Sequence, residues 1–351
     1  MSKNKCKPKH TTIGGQALIE GIMMRGPSKT VIVCRAPNGE IREKELKGNK
    51  TRFKKIIMKF PFLRGAFGLV DSLILGQKAL MISADIAMEE EKPAEENVEC
   101  EENAATKPAN KPEKSKKNKV FFTILMVIAS AIGIGVGLLL FMYLPSFLFD
   151  NVNSWTGNNI SRFRVLFEGL INIILFVAYV SIVALMRDIK RLFMYHGAEH
   201  MAIAAHEAKV DLTVENVRKY SRFHPRCGTS FLVLMLVVSI VVASILAFSF
   251  PVLTEPENRI WWVSIRLAMV PIIIGLGYEL IKIAGRFDNI FTKIISAPGM
   301  WVQRITTKKP DDSMLEVAIC SLKAVVPGGK KTDDEQVQIL ADATCGEPAK
   351  S

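Results

Sequence analysis

Four stretches of this chain are too long and too apolar for an ordinary soluble core: Val120 to Phe149, Val165 to Met186, Thr229 to Leu253 and Ile260 to Ala284. Each reaches the ~20 apolar residues with which a helix crosses the hydrocarbon layer. The rest of the sequence is strongly polar. A balance of 49% hydrophobic against 23% charged residues therefore excludes both a plain soluble domain and a protein immersed in lipid throughout. The predicted fold class is an α-helical polytopic membrane protein with four transmembrane helices and a small cytoplasmic α+β portion.

Basic loop residues set the predicted orientation, because Lys and Arg beside span ends are retained on the cytoplasmic side. Lys114, Lys116, Lys117 and Lys119 precede the first stretch, and Arg187, Lys190, Arg191, Lys209, Arg218, Lys219, Arg222 and Arg226 fill the loop between the second and third. The other two loops hold only Arg162 and Arg164, and Arg259. The expectation is a multi-pass protein of the cell membrane with both termini cytoplasmic. The net charge of +12 then reads as orientation plus attraction to a lipid bilayer with anionic headgroups. No nucleic-acid motif accompanies it, so nucleic acid is not an expected partner. The first stretch starts far from Met1 and lacks a small-residue cleavage pattern, so it is not read as a signal peptide. Cys6, Cys34, Cys100, Cys227, Cys320 and Cys345 show no paired spacing, which fits a reducing compartment better than a disulfide framework.

Residues 1–55 are predicted to be a cytoplasmic β-rich unit. Thr30 to Arg35 is β-branched and apolar, Asn38-Gly39 signals a hairpin turn, and Glu40 to Leu46 alternates. Gly14, Gly15, Gly21 and Gly26 punctuate the preceding segment, as turns or as points of close backbone approach. In residues 56–88 a helical pattern carries Arg64, Asp71 and Lys78, too many polar groups for a lipid-exposed span, which predicts an interfacial or re-entrant helix. Residues 89–119, with eight Glu up to Glu102 and then lysines around Pro108 and Pro112, read as a disordered charged linker. Transmembrane pairs occupy 120–186 and 229–284, either side of a His-rich cytoplasmic loop at 187–228. Residues 285–328 form a C-terminal helix region, in which Leu315, Ala318, Ile319, Leu322 and Val325 recur at helical spacing behind Asp311-Asp312. A flexible tail follows at 329–351.

Four of the five histidines, His196, His200, His206 and His224, fall in that single loop. His196-Gly197-Ala198-Glu199-His200 has the H-x-x-E-H spacing in which two imidazoles bind a metal and the Glu activates water. At ~100° per residue the two imidazoles stand one turn apart on one helix face, unless Gly197 breaks the helix. Glu199 lies at the edge of that face and Glu207 returns near the same line. His224-Pro225-Arg226-Cys227 adds an imidazole and a thiol separated by two residues, just before the third span. His196, His200, His224 and Cys227 make a nitrogen and sulfur set that suits tetrahedral geometry, so the expected cofactor is a divalent metal, zinc first. With all four bound the site is structural. A catalytic version keeps one position open with Glu199 as general base, and the sequence does not choose which three bind. Histidines that only cap helices or face headgroups are the bland alternative.

Inside the spans, Glu168 and Arg266 stand at similar depth and are expected to pair across helices. Glu279 is expected to pair with Lys282 at i,i+3, or to reach the cytoplasmic site. No span carries repeated charge at its centre and no halves look duplicated, which leaves a transporter as the third reading.

These residues carry a resemblance. Gly14-Gly15-Gln16-Ala17 through Glu20-Gly21, Met24-Arg25-Gly26-Pro27, the H-x-x-E-H segment and His224 through Ser230 come first. Ala297-Pro298-Gly299 through Gln303, Ile305-Thr306-Thr307, Pro310-Asp311-Asp312 and Leu315 to Ile319 follow in order. Together they resemble the YqhQ-like bacterial membrane proteins, the domain-of-unknown-function family numbered 1385. The resemblance covers most of the chain apart from the linker and tail. It implies a metal-dependent membrane enzyme, with His196, Glu199, His200, His224 and Cys227 at metal-like positions. The leading expectation is a hydrolase at the cytoplasmic membrane face. In it His196, His200 and either His224 or Cys227 hold zinc, Glu199 takes a proton from the activated water, and Arg25 or Arg226 neutralises an anionic substrate. Its rival is a non-enzymatic membrane scaffold or assembly factor, in which the metal staples the loop and the surface engages a membrane or cytoplasmic protein partner.

Overall fold

The computed structural model describes residues 13–46, 57–88, 116–254, 258–284 and 289–326. Most of the predicted linker and all of the predicted tail lie outside these residues, as do Cys6, Cys100 and Cys345. The strands are β1 (Gly14–Leu18), β2 (Gly21–Arg25), β3 (Thr30–Arg35) and β4 (Ile41–Leu46). The helices are α1 (Leu63–Ala87), α2 (Lys116–Leu138), α3 (Leu144–Trp155), α4 (Arg164–Val183), α5 (Arg187–Glu207), α6 (Val214–Val217), α7 (Gly228–Ser249), α8 (Arg259–Ala284), α9 (Ile290–Thr306) and α10 (Asp312–Val325). One π-helical turn, Leu139–Tyr143, joins α2 to α3.

The β-rich unit forms as an antiparallel sheet in the order β1-β2-β3-β4. Glu20 turns between β1 and β2 at φ 51, and Gly39 supplies the φ of 87 that the Asn38-Gly39 hairpin needs. The two central strands are buried on both faces, which is why Ile22 to Met24 and Val31 to Cys34 read as unbroken apolar runs. Successive side chains point to opposite faces. Leu18, Met23, Ile32 and Cys34 meet Leu75, Ala79, Ile82 and Ile86 of α1. On the other side, Ile22, Met24, Val31 and Val33 share one core with α5 and with Met314, Leu315, Ala318 and Leu322 of α10. Asp311 caps α10 by accepting the Met314 backbone N–H at 2.9 Å, as the acidic start of that segment predicts.

Among the described residues five helices are long and apolar enough to cross a membrane: Leu63–Ala87, Ile128–Trp155, Ser161–Val183, Gly228–Ser249 and Trp261–Ile283. That is one more than the four read from the sequence, and the addition is α1. The sequence reading discounted α1 for its polar residues, but Arg64 is neutralised. Its guanidinium donates through Nε and Nη2 to the two carboxylate oxygens of Glu279 on α8, at 2.6 and 2.5 Å. Glu279 is thus engaged across helices by Arg64, where the sequence reading paired it with Lys282 or took it to the cytoplasmic site. Small residues permit the approach. A Cβ on Gly65 would lie 2.6 Å from Tyr278 Cβ, and one on Gly275 would lie 2.6 Å from Phe62 Cα.

Two compact units result. The first, Met1–Glu90, Val180–Ser239 and Pro256–Ser351, holds the sheet, α1, α5, α6, α9 and α10. The second, Glu91–Tyr179 and Ile240–Glu255, has its own buried ion network. There Glu168 accepts from Ser146 Oγ at 2.8 Å and from Arg164 Nε at 3.0 Å, and Arg164 also meets Asp150 at 3.0 Å. Arg164 stands one turn before Glu168 on the same helix, a pairing that costs no long-range ordering. In the first unit Arg266 lies over the Trp262 ring, 5.7 Å from its centroid.

Candidate metal centre

The segment read as a His-rich loop is mostly the helix α5, whose alanines favour the conformation and whose residues from Tyr195 through Ala205 are largely buried. Gly197 does not break it. A Cβ there would run into the Lys308 carbonyl oxygen, so the absence of a side chain admits the α9–α10 connection against the helix. The Lys308 N–H donates to the Phe193 carbonyl at 2.8 Å and fastens that connection beside His196.

His196 and His200 stand one turn apart and meet edge to face, with ring centroids 4.4 Å apart. Each ring is held from behind by a backbone carbonyl. His196 Nδ1 lies 2.9 Å from Thr306 O and His200 Nδ1 lies 2.7 Å from Arg222 O. A carbonyl only accepts, so both Nδ1 atoms carry the proton and both Nε2 atoms present a lone pair forward. Cys227 meets them there. Its Sγ is 3.1 Å from His196 Nε2 and 3.2 Å from Thr229 Oγ1. The ligand atoms of His196, His200 and Cys227 all lie within 4.8 Å of one another. Burial, the largest influence on His200, pushes its imidazole below the usual range, with the Cys227 contact opposing. His200 is thereby kept in the neutral form that binds metals.

Glu199 is 4% exposed and sits against β1, where a Cβ on Gly15 would come 2.9 Å from its carboxyl carbon. The Gly15 backbone N–H donates to the carboxylate, yet Oε2 has no hydrogen-bond partner. Burial raises the carboxyl above its ordinary range, and the electrostatic influence of nearby His196 and the Gly15 bond only partly offset this. A buried carboxylate oxygen without a partner is costly, and proteins rarely leave one so unless a ligand or proton completes it.

His224 belongs to the neighbourhood but stands apart from the three converging ligands. Its Nδ1 accepts the Arg226 backbone N–H at 3.3 Å, leaving Nε2 to carry the proton toward Glu207, 3.9 Å away. Its ring centroid is 5.6 Å from that of His200. Glu207, placed by periodicity near the metal stripe, is held by Arg226. Arg25 ends β2 and meets Asp71 of α1 at 3.6 Å. Several positioning groups escaped the sequence reading. Gln303 of α9 is fully buried, accepts the His224 N–H at 2.8 Å, and donates to His224 O and Ser230 Oγ at 2.7 Å each. Thr306 and Arg222 act through main-chain oxygens, for which no side-chain signal exists.

These residues fit a divalent ion. Two imidazole nitrogens and a thiol converge, each imidazole is oriented by an outer hydrogen bond as metal-bound histidines are, and an unpartnered carboxylate oxygen lies beside them. The sequence model of a family described as "Protein of unknown function (DUF1385)" matches residues 60–328. The "Uncharacterized protein YqhQ" of Bacillus subtilis (strain 168) is 29% identical over 328 residues, which cover 93% of this chain and 95% of that protein. No solved structure matches the chain.

Proposed function

The chain belongs to the DUF1385 family of proteins of unknown function, and we propose that it is a metal-dependent hydrolase, with zinc as the first-choice ion, at the cytoplasmic face of a bacterial cell membrane. The observation that carries this reading is the pair of carbonyl contacts to Nδ1 of His196 and His200, which aims both Nε2 lone pairs at Cys227. Three ligands leave a tetrahedral ion one position for reactants, the arrangement of catalytic rather than structural sites. A divalent ion there would act as a Lewis acid toward water and toward a substrate carbonyl or phosphoryl oxygen.

The chain's own residues supply the rest. Glu199 Oε2 takes the proton of the attacking water and passes it to the leaving group, while the Gly15 N–H steadies the carboxylate. Arg226, tied to Glu207 beside His224, is the cation assigned to an anionic substrate group. In this reading four of the five apolar helices cross the membrane. Helix α1 lies along its surface instead, because Leu75, Ala79, Ile82 and Ile86 are taken up by the sheet. A core shared by β2, β3 and α10 supports a common side for the N-terminal sheet and the C-terminal helix, and the basic loops support the cytoplasm as that side.

The test is elemental analysis of the purified protein. About one ion per chain is expected for wild type, with loss to background in Cys227→Ser and His200→Ala. Glu199→Gln separates the enzyme from a scaffold with a structural ion: full metal content with lost cellular function supports hydrolysis, and full metal content with intact function supports the scaffold. Wild type without stoichiometric metal ends both.

A further inference from the structure

Helix α9 has two faces of opposite character. One carries Thr292, Gly299, Val302, Gln303 and Thr306, all buried, and through Gln303 and Thr306 it grips the His224 segment and the Nδ1 of His196. The other carries Ile290, Ile294 and Trp301, exposed by 79, 65 and 65%, at the i, i+4 and i+11 spacing of a single stripe. Its only charged residues, Lys293 and Arg304, are both basic and both flank that stripe. Helix α10 is the contrast. Its outward side shows Asp312, Glu316 and Lys323, as a helix facing water does.

We propose that α9 lies in the plane of the bilayer as an interfacial helix, and that it holds the His196–His200–Cys227 cluster about one helix diameter, ~10 Å, above the acyl chains. The occupant of the apolar stripe is the lipid of the protein's own membrane. Three observations select it. Helix α9 starts at Ile290, six positions after the last residue of α8, a helix long enough and apolar enough to span. Both charged residues within α9 are basic, which matches an anionic headgroup layer. An indole at the edge of an apolar stripe suits the boundary between acyl chains and water. If the cluster is the hydrolytic centre argued above, its substrate is drawn from the headgroup layer: a phospholipid or a lipid-linked group, not a freely soluble metabolite.

The experiment places the photo-crosslinking residue benzoylphenylalanine in the full-length protein at Ile294, at Trp301, or at Lys44 on the exposed edge strand β4, in native membranes. Adducts are identified by mass spectrometry, and metal content is measured on the same samples. Lipid adducts about tenfold more abundant at 294 and 301 than at 44 are expected for a stripe seated in the acyl region. Adducts to a second copy or to another protein overturn the proposal, as does equal lipid labelling at all three positions or none at 294 and 301. Should one position disturb folding, the other carries the test. Lipid adducts without metal sink the metal reading alone; metal without lipid adducts sinks the interfacial helix alone.

Discussion

Glu199 and Glu168 are two carboxylates of almost equal burial, 4% and 3% exposed, and their surroundings differ in kind. Glu168 is surrounded by donors, Ser146 and Arg164, and Arg164 is shared with Asp150. Glu199 has one backbone donor and an oxygen left open. Charge buried for architecture is satisfied on the spot, whereas charge buried for chemistry keeps a valence for something that arrives later.

Substituting both residues tests that difference most strongly. Glu168→Ala leaves a largely buried Arg164 without its carboxylate partner on the same helix, and thermal or denaturant unfolding in detergent is expected to show a loss of ~3 kcal/mol, the low end for a broken buried pair. Glu199→Gln removes a poorly satisfied buried charge, and its stability should stay within about 1 kcal/mol of wild type. Equal losses in the two variants would erase the distinction.

A smaller effect sharpens the same contrast from the sheet side. Gly15→Ala drives a methyl group to 2.8 Å from Met23 O and 2.9 Å from the Glu199 carboxyl carbon, for which ~1–3 kcal/mol of overpacking is expected. Function should fall further than stability, because the displaced group is the proposed general base. Normal function with wild-type stability would show that Glu199 has room to spare.

The smallest effect concerns a buried group with no assigned chemistry. Burial first, and the charge of Glu20 second, push the Cys34 thiol from 9.0 up to about 12. Below pH 9 the thiol is protonated in both folded and unfolded chains and adds nothing. As pH rises from 9 toward 12, only the unfolded chain releases the proton, so stability declines across that window. Wild type should lose more stability than Cys34→Ala between pH 8 and 10, and Cys34 should resist alkylation at pH 8 while folded. Rapid alkylation there would contradict the burial.

Much of this protein is legible from local pattern. Apolar stretches long enough for a bilayer, the Asn38-Gly39 hairpin, the capped helix behind Asp311 and the one-turn spacing of His196 and His200 all depend on neighbours in sequence, and backbone geometry converts that spacing directly into shape. Local pattern did not show the partner of Arg64 in α1, because that partner, Glu279, lies far along the chain. Within 285–328 it showed helical spacing only behind Asp311-Asp312, although a 17-residue helix with one apolar and one gripping face precedes that segment.

The composition of the ligand set was a property of the sequence; its membership was not. Four nitrogen and sulfur donors were visible, and only the folded chain turned His224 toward Glu207 while bringing Cys227 to His196. The carbonyls of Thr306 and Arg222 turned the Nε2 atoms of His196 and His200 the same way. Every residue has a carbonyl, so nothing in the side-chain sequence marks these two. Which donors meet at a point is settled by packing between distant segments, where the energy of a contact depends on every element that positions it.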